Sequence, residues 1–281
     1  MCGIVGYIGS RSAQDVVVKG LKRLEYRGYD SAGGAVILDA LKVTKCKGKV
    51  AKLEAMLSKS DKAEIGIGHT RWATHGEPND VNSHPHTSTN GKIAVVDNGI
   101  IENYTALKVQ LQSQGYVFYS DTDTEIMAKL IEQFYKDPEV LSLEKAVQLA
   151  TRQVNGTYGI AVLHEDFPDL MVVARRGSPL LLGVGDNEMI VASDASAVAE
   201  YTDKVVYFDD NETAVSRPDS YEVQDNSYVL MDKKVHELQM SLEEIEKGGY
   251  PFFMLKEIFE QPKTIGDSLR GRIQPEEGKI V

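Results

Sequence analysis

The second residue of the chain is a cysteine that could act as a nucleophile. Met1-Cys2-Gly3 opens the sequence, and an apolar run follows as far as Ile8. If Met1 is removed, Cys2 carries both a thiol and a free α-amine, with reference pKa values of about 8.5 and about 8. Nucleophile and base would then share one residue, and no distant histidine would be needed to activate the sulfur. The structural alternative is a cysteine buried at the start of an edge strand.

Four further residues could complete the hydrolysis of a side-chain amide, which also needs an oxyanion hole and anchors for the substrate's charged ends. Asn98 offers a side-chain N–H and Gly99 a backbone N–H, although Asn-Gly is also a common turn dipeptide. Arg71 could bind an α-carboxylate, or it could form a surface salt bridge. Asp123 could accept from an α-ammonium, or it could cap a helix.

Metal chemistry has weaker support. His84 and His86, even with His75 and Asp80, lack a further ligand at metal spacing. The acidic cluster at 121–125 lacks the spacing of an EF-hand. The sequence therefore predicts no metal site and no cofactor.

Length and composition indicate an ordinary globular protein. The 281 residues, of which 42% are hydrophobic, suffice for one large domain or two modest ones. A net charge of −11 argues against nucleic-acid binding and against docking on an anionic membrane. The first residues lack the pattern of a secretion signal, and no apolar run approaches the roughly 20 residues of a membrane span. Only two cysteines, Cys2 and Cys46, are present, so we predict no disulfide framework and a cytoplasmic location.

Hydrophobic periodicity places the candidate residues at strand ends and in loops. Helices gather in the first half and strands in the second, which predicts two stacked sheets flanked by helices. Helices are predicted over 12–26, 50–57, 103–114, 126–135 and 142–154. Strands are predicted over 2–8, 35–38, 42–47, 65–69, 93–97, 159–163, 171–174, 180–185, 189–192, 205–208, 214–216 and 228–231.

The composition changes after residue 240. Residues 241–247 are acidic and predict a helix, and 252–261 predict an amphipathic helix that Pro262 ends. The last residues, 274–281, are mostly polar. This pattern is typical of a linker.

Three motifs make the sequence resemble the class II glutamine amidotransferases, a family of N-terminal nucleophile hydrolases. They lie at residues 24–33, at 68–76 with 82–86, and at 97–104. They are similar to those of one subfamily, the glutamine–fructose-6-phosphate aminotransferases, rather than to those of the amidophosphoribosyltransferases or the asparagine synthetases. The resemblance covers essentially the whole chain.

The resemblance implies an α+β fold, a four-layer αββα sandwich of two stacked, mostly antiparallel sheets flanked by helices. It implies that Cys2 is the nucleophile and that its freed amine is the base. Asn98 and Gly99 would form the oxyanion hole, and Arg27 would lie near the nucleophile and order the site.

The same resemblance assigns residues to glutamine binding. Arg71 and Asp123 would hold the carboxylate and the ammonium, with Thr74 and His75 lining the same pocket.

Trp72 would sit on a loop that closes over glutamine and gates the passage of ammonia, and His84 would help to order that loop. One residue departs from the family pattern: Asp97 stands where the family often has His. Since Asp97 precedes the oxyanion donors and need not touch substrate, we expect no effect on the chemistry.

The resemblance also implies that the full-length protein has two parts with different functions. Residues 1–240 would form the glutamine amidotransferase domain, and 241–281 a linker toward a sugar isomerase domain that this sequence does not contain. Fructose 6-phosphate would bind only in that half, and the full-length parent would be a homodimer that makes glucosamine 6-phosphate for hexosamine biosynthesis. We expect this chain to hydrolyse L-glutamine to glutamate and ammonia without making glucosamine 6-phosphate. Two alternatives stay open: the glutaminase domain of another amidotransferase, and a non-enzymatic domain that binds glutamine without turnover.

Overall fold

The computed structural model describes residues 2–58, 60–74, 76–238, 249–269, 273–274 and 279–280. Met1, the candidate pocket residue His75 and the predicted acidic helix at 241–247 lie outside the described residues. The chain divides into two compact units, Met1–Leu238 and Gln239–Val281. Among the described residues, no helix has the length and apolar character that a membrane crossing requires.

The first unit contains two antiparallel sheets. Its strands are β1 Gly3–Gly9, β2 Ser31–Ile37, β3 Leu41–Lys47, β4 Ile65–Arg71, β5 His86–Thr87, β6 Ile93–Asp97, β7 Ile100–Ile101, β8 Gly156–His164, β9 Met171–Arg176, β10 Leu181–Val184, β11 Glu188–Ala192, β12 Lys204–Tyr207, β13 Glu212–Ser216, β14 Tyr221–Gln224 and β15 His236–Glu237. The order in one sheet is β15, β12, β10, β11, β1, β4, β2, β3. The order in the other is β14, β13, β9, β8, β6, β5, with β7 paired to β8.

The helices of the first unit are α1 Ala13–Leu24, α2 Val50–Met56, α3 Tyr104–Ser113, α4 Thr124–Tyr135 and α5 Leu143–Gln153. Short 3₁₀ turns occur at Glu25–Arg27 and Ala195–Ala197. The start of α1 follows the predicted signal, because the side chain of Ser12 accepts a hydrogen bond from the backbone N–H of Asp15. The described part of the second unit has helix α6, Phe253–Leu269, and a pair of two-residue strands, β16 Ile273–Gln274 and β17 Lys279–Ile280.

Alternation along the strands creates three apolar layers. In β1, Ile4 and Ile8 pack between the two sheets, whereas Val5 and Tyr7 pack on the side of α1 and α2. In β6, Ala94 and Val96 face the same inter-sheet layer, whereas their neighbours in the strand pack with α3, α4 and α5. Successive strand residues point to opposite faces, so each sheet is covered on both sides. The predicted four-layer αββα sandwich is confirmed.

Some predicted elements differ from the structure, and three of the differences lie in local contacts or bounds. A strand was expected at 228–231, but the chain turns there: the carboxylate of Asp225 accepts from the backbone N–H of Val229, and Tyr228 has a φ of 65°. The glycine-rich segment 26–34 was expected to be a loop, but β2 begins at Ser31, because Gly33 and Gly34 pair with β4. Helix α6 continues past Pro262 instead of ending there.

Gly33 in β2 permits one close approach on which the site depends. It pairs with His69 of β4, and a Cβ at Gly33 would lie 2.1 Å from the carbonyl oxygen of His84. The loop that carries His84 therefore packs directly on the β2 backbone. At the next residue, Gly34, a Cβ would approach only the carbonyl oxygen of Ile67, at 3.2 Å.

We predict that Gly33→Ala lowers the free energy of unfolding by about 1–3 kcal/mol, because the backbone around His84 must move to accept the methyl group. Urea unfolding followed by circular dichroism measures the change. Gly34→Ala is the matched control and should cost clearly less, since its closest neighbour is more than 1 Å further away. Equal losses in the two variants would contradict the importance of this packing contact.

Candidate active site

Cys2 lies at the entrance to β1, which runs between β11 and β4 inside its sheet. The backbone N–H of Trp72 donates to the Cys2 Sγ atom at 3.2 Å, and the carbonyl oxygen of Trp72 lies 3.6 Å from the same sulfur. Burial raises the pKa of the Cys2 thiol, while the Trp72 N–H and the nearby Arg71 charge act in the opposite direction. The thiol is therefore held next to a backbone donor and a cation that both favour its ionised form.

Asn98 reaches Cys2 from the other sheet. It follows β6, and its Nδ2 atom donates to the carbonyl oxygen of Cys2 at 3.1 Å. Two backbone hydrogen bonds with Gly159, of 3.0 and 2.9 Å, fix the Asn98 main chain. Both the main chain and the side chain of Asn98 are therefore fixed by hydrogen bonds.

Gly99 adds a backbone donor beside that amide. A Cβ at this position would lie 2.0 Å from the carbonyl oxygen of Thr157, so only glycine fits. Among the described residues, none accepts a hydrogen bond from the Gly99 N–H, which lies on an exposed residue. This N–H can therefore donate to a bound oxygen without breaking an existing bond.

Arg71 and Asp123 flank the same region. Arg71 ends β4 with its side chain buried, and its Nη2 atom donates to the carbonyl oxygen of Gly76 at 3.3 Å. Burial lowers the pKa of Arg71, whereas Cys2 and Asp123 raise it, so both groups act electrostatically on the guanidinium. Asp123 occupies the N-cap position of α4, but its side chain makes no capping hydrogen bond; its carboxylate accepts instead from the backbone N–H of Ile101 at 2.9 Å. The helix-cap alternative for the Asp123 side chain is therefore wrong.

Trp72 and Thr74 belong to the loop that follows Arg71. The Trp72 side chain is 45% exposed, and its ring meets that of Tyr29 edge to face at 5.7 Å. Thr74 is exposed in the same loop. The predicted pocket-lining and gating roles of these two residues stay predictions.

Gly28 and Asp30 support this loop, and sequence reasoning assigned neither of them a role. A Cβ at Gly28 would lie 2.8 Å from the backbone nitrogen of Trp72, and the Asp30 carboxylate accepts from the backbone N–H of Ala73 at 2.9 Å. The motif at 24–33 contained both residues, but spacing along the chain does not indicate which distant backbone they contact.

Arg27 connects to the nucleophile strand through the end of β11. Its Nη1 atom donates to the carboxylate of Asp194 at 2.8 Å and to the carbonyl oxygen of Ser193 at 3.4 Å. Ser193 in turn exchanges two hydrogen bonds with the main chain of Ile4, through its hydroxyl at 3.0 Å and its N–H at 3.1 Å. Arg27 and Asp194 also line a cavity of about 350 Å³ together with Tyr26 and Trp72.

Three buried histidines lie beneath the site. The ring of His84 stacks on that of His69 at 4.1 Å and meets that of His86 edge to face at 4.9 Å. His84 Nδ1 accepts from the backbone N–H of Asp97 at 3.3 Å, and His86 Nε2 is 2.8 Å from the hydroxyl of Thr122. The part of the chain that the structure describes contains no group of three or more potential ligand side chains placed to hold a metal ion.

Asp97 is buried directly before the oxyanion donors. Its carboxyl group accepts from the backbone N–H of Gly159 at 3.3 Å and lies 3.4 Å from the hydroxyl of Thr124. Burial raises the pKa of Asp97 well above its ordinary value, and the nearby Asp123 charge raises it further. Burial therefore disfavours the charged form of this carboxyl group.

We predict that the reaction of Cys2 with iodoacetamide, in protein that retains Met1, reaches half its maximal rate at a pH above the ordinary thiol pKa of about 8.5. The reason is that burial disfavours the thiolate more than Trp72 and Arg71 favour it. Alkylation rates measured from about pH 6 to about pH 10 test this. Cys2→Ala gives the background from Cys46, which is 1% exposed. A midpoint below the ordinary value would mean that the donor and the cation outweigh burial.

Comparisons with known proteins agree on one family. A family model described as "Glutamine amidotransferase domain" matches residues 54–249. The glutamine–fructose-6-phosphate aminotransferase (isomerizing) of Chlorobaculum tepidum is 54% identical over 284 residues, which are 100% of this chain and 46% of that protein. The enzyme of the same name from Bacteroides thetaiotaomicron is 53% identical over 285 residues, with 100% and 46% coverage. The chain thus spans about half the length of these relatives.

Solved structures share the fold. The glutamine phosphoribosylpyrophosphate amidotransferase from B. subtilis, complexed with ADP and GMP, matches with a TM-score of 0.69 and 26% identity over 82% of this chain and 50% of that one. A structure described as the allosteric regulatory enzyme of purine biosynthesis matches with a TM-score of 0.69 and 27% identity over 81% and 50% of the two chains.

Proposed function

Because the chain belongs to the glutamine amidotransferase domain family, we propose that Cys2 catalyses the hydrolysis of L-glutamine to glutamate and ammonia. One observation supports this most directly. The Asn98 amide of one sheet donates to the Cys2 main chain of the other, and the Gly99 N–H beside it has no acceptor among the described residues. A thiol and two oxyanion donors are the groups that acyl transfer from an amide requires.

The first chemical step forms a thioester. Once Met1 has been removed, the α-amine of Cys2 takes the thiol proton, and the sulfur attacks the side-chain amide carbon of glutamine. The amide oxygen becomes an oxyanion that accepts hydrogen bonds from Asn98 Nδ2 and Gly99 N. The protonated amine then gives its proton to the leaving nitrogen, the carbon–nitrogen bond breaks, and ammonia departs.

The second step releases glutamate. Water attacks the thioester carbon while the α-amine takes one of its protons, and the same two donors stabilise the second oxyanion. The carbon–sulfur bond then breaks and the thiol recovers its proton. Loss of one oxyanion donor typically lowers the rate by about 10²–10³-fold, so Asn98 and Gly99 account for several kcal/mol of the lowered barrier.

Substrate orientation comes from the two flanking charges. Arg71 can bind the α-carboxylate in a bidentate manner, and Asp123 can accept from the α-ammonium. Their mutual electrostatic influence and the proximity of Arg71 to Cys2 support this assignment. Thr74 and His75 are proposed to line the pocket, Trp72 to cover it, and Arg27 and His84 to order its surroundings.

We predict that Cys2→Ala abolishes glutamate release, whereas Cys46→Ala leaves it within about twofold of the unmodified protein, because only Cys2 lies beside the oxyanion donors. Glutamate is measured with a coupled dehydrogenase assay. Intact-mass spectrometry on the same samples reports whether Met1 is present, since an acylated α-nitrogen cannot act as the base. Processed protein that binds glutamine but releases no glutamate would favour the non-enzymatic alternative. Loss of activity in Cys46→Ala would refute the site assignment.

The ammonia acceptor is a separate proposal. The relatives that span this chain completely are named for fructose 6-phosphate, and this chain covers 46% of their length. We propose that the full-length protein passes ammonia to fructose 6-phosphate bound in its other half, as a homodimer in the cytoplasm. Residues 241–281 are proposed to be the linker to that half. The likeness in fold to a phosphoribosylpyrophosphate enzyme does not favour its acceptor, because the identity is only 26%.

We predict that the present chain, supplied with glutamine and fructose 6-phosphate, releases glutamate and ammonia but forms no glucosamine 6-phosphate. The reason is that the proposed sugar-binding half lies outside this sequence. Mass spectrometry of the reaction mixture detects the amino sugar, and the full-length parent serves as the positive control. Formation of the amino sugar by this chain alone would disprove the proposal that fructose 6-phosphate binds only in the other half of the full-length protein.

A further inference from the structure

The orientation of the Asn98 side-chain amide is decided by the group on its far side. Asn98 has a donor and an acceptor end, and only the NH₂ end can stabilise an oxyanion. The end near the nucleophile is 3.1 Å from the carbonyl oxygen of Cys2, which can only accept. The NH₂ group must therefore face Cys2, and Oδ1 must face away from it. That Oδ1 atom lies 3.0 Å from Nε2 of His69.

His69 must then donate from Nε2. The residue lies in the buried strand β4, opposite Ile4 of the nucleophile strand, and it is 1% exposed. Burial lowers the pKa of His69 to about 3, so the ring is neutral and carries a single N–H. If that proton were on Nδ1 instead, Nε2 would be an acceptor and would favour the reversed amide, with Oδ1 toward the nucleophile.

His69 is itself held in position. The ring of His84 stacks on it at 4.1 Å with 15° between the planes, and His84 accepts from the backbone N–H of Asp97. The missing side chain at Gly33, which pairs with His69 across the strands, makes room for the His84 backbone. His84 is neutral as well, because burial lowers its pKa well below the ordinary value, so the two rings do not repel each other.

We propose that His69 is a positioning residue for amide hydrolysis: its Nε2–H holds Asn98 Oδ1 and so keeps the Asn98 NH₂ group directed at the developing oxyanion. This rests on the proposed glutaminase function. In this role His69 acts on the reaction through Asn98 and does not touch the substrate. Neither composition nor motif spacing assigned it a role, because the contact crosses from one sheet to the other.

Steady-state glutaminase kinetics on Met1-processed protein test the proposal. His69→Leu removes the donor and should lower kcat by about 10–10²-fold, part of the loss expected for a missing oxyanion donor, with KM changed by less than about threefold. His69→Gln places an amide N–H near the position of ring Nε2 and should keep kcat within about threefold. His69→Asn is the matched control: it has the same amide, but it is one methylene shorter and should lose activity as Leu does.

A double-mutant cycle separates this role from a structural one. In an Asn98→Ala background, His69→Leu should cause no further loss of kcat, because the group that it positions is gone. A loss of the same size in both backgrounds would overturn the proposal, as would unchanged kcat in His69→Leu or equal activity of the Gln and Asn variants. The Gln and Asn pair decides the matter if the Leu variant does not fold. An inactive parent protein would instead refute the proposed function itself.

Discussion

The hydrogen bond between the Asn98 side chain and the Cys2 main chain joins the two sheets at the proposed site, and the proposed chemistry depends on it. One such bond contributes only about 0.5–1.5 kcal/mol to stability, which is too little to hold two sheets in place. Each large apolar side chain buried between the sheets, such as Ile4 or Leu163, contributes about 1.5–3 kcal/mol. The apolar layer therefore determines the spacing between the sheets. That spacing brings the Asn98 amide within hydrogen-bond distance of the Cys2 main chain.

Three polar groups beneath the site are buried and hydrogen-bonded. Asp97, His84 and His86 each have a hydrogen-bond partner, and burial shifts the pKa of each so as to disfavour its charged form. An unsatisfied buried polar group would cost about 1–3 kcal/mol, and a charged one considerably more. This network disfavours charge beneath the site, whereas Arg71 and Asp123 flank it and can meet a zwitterionic substrate.

The sequence predicted the layers better than the contacts. The strand at 93–97 was located at its observed bounds, since a short run of β-branched and small apolar residues ends there at an Asn-Gly pair. The position of Tyr228 was misjudged, because its turn depends on a side-chain contact with Arg152 and on the carboxylate of Asp225. Likewise, Cys2 and Trp72 are 70 positions apart in the sequence. The hydrogen bond between them forms because β1 pairs with β4. The local sequence pattern predicts individual helices and strands. The geometry of the site depends in addition on the register in which the strands pair.

The clash that a side chain at Gly99 would cause has a consequence for engineering. Because the carbonyl oxygen of Thr157 occupies the space where any Cβ would be, saturation mutagenesis at position 99 can yield no variant that keeps the present β8 backbone. A library intended to change the amide that is accepted should leave residues 98 and 99 fixed. Diversity is better placed in the exposed loop around Thr74, where side chains can change without displacing a neighbouring strand.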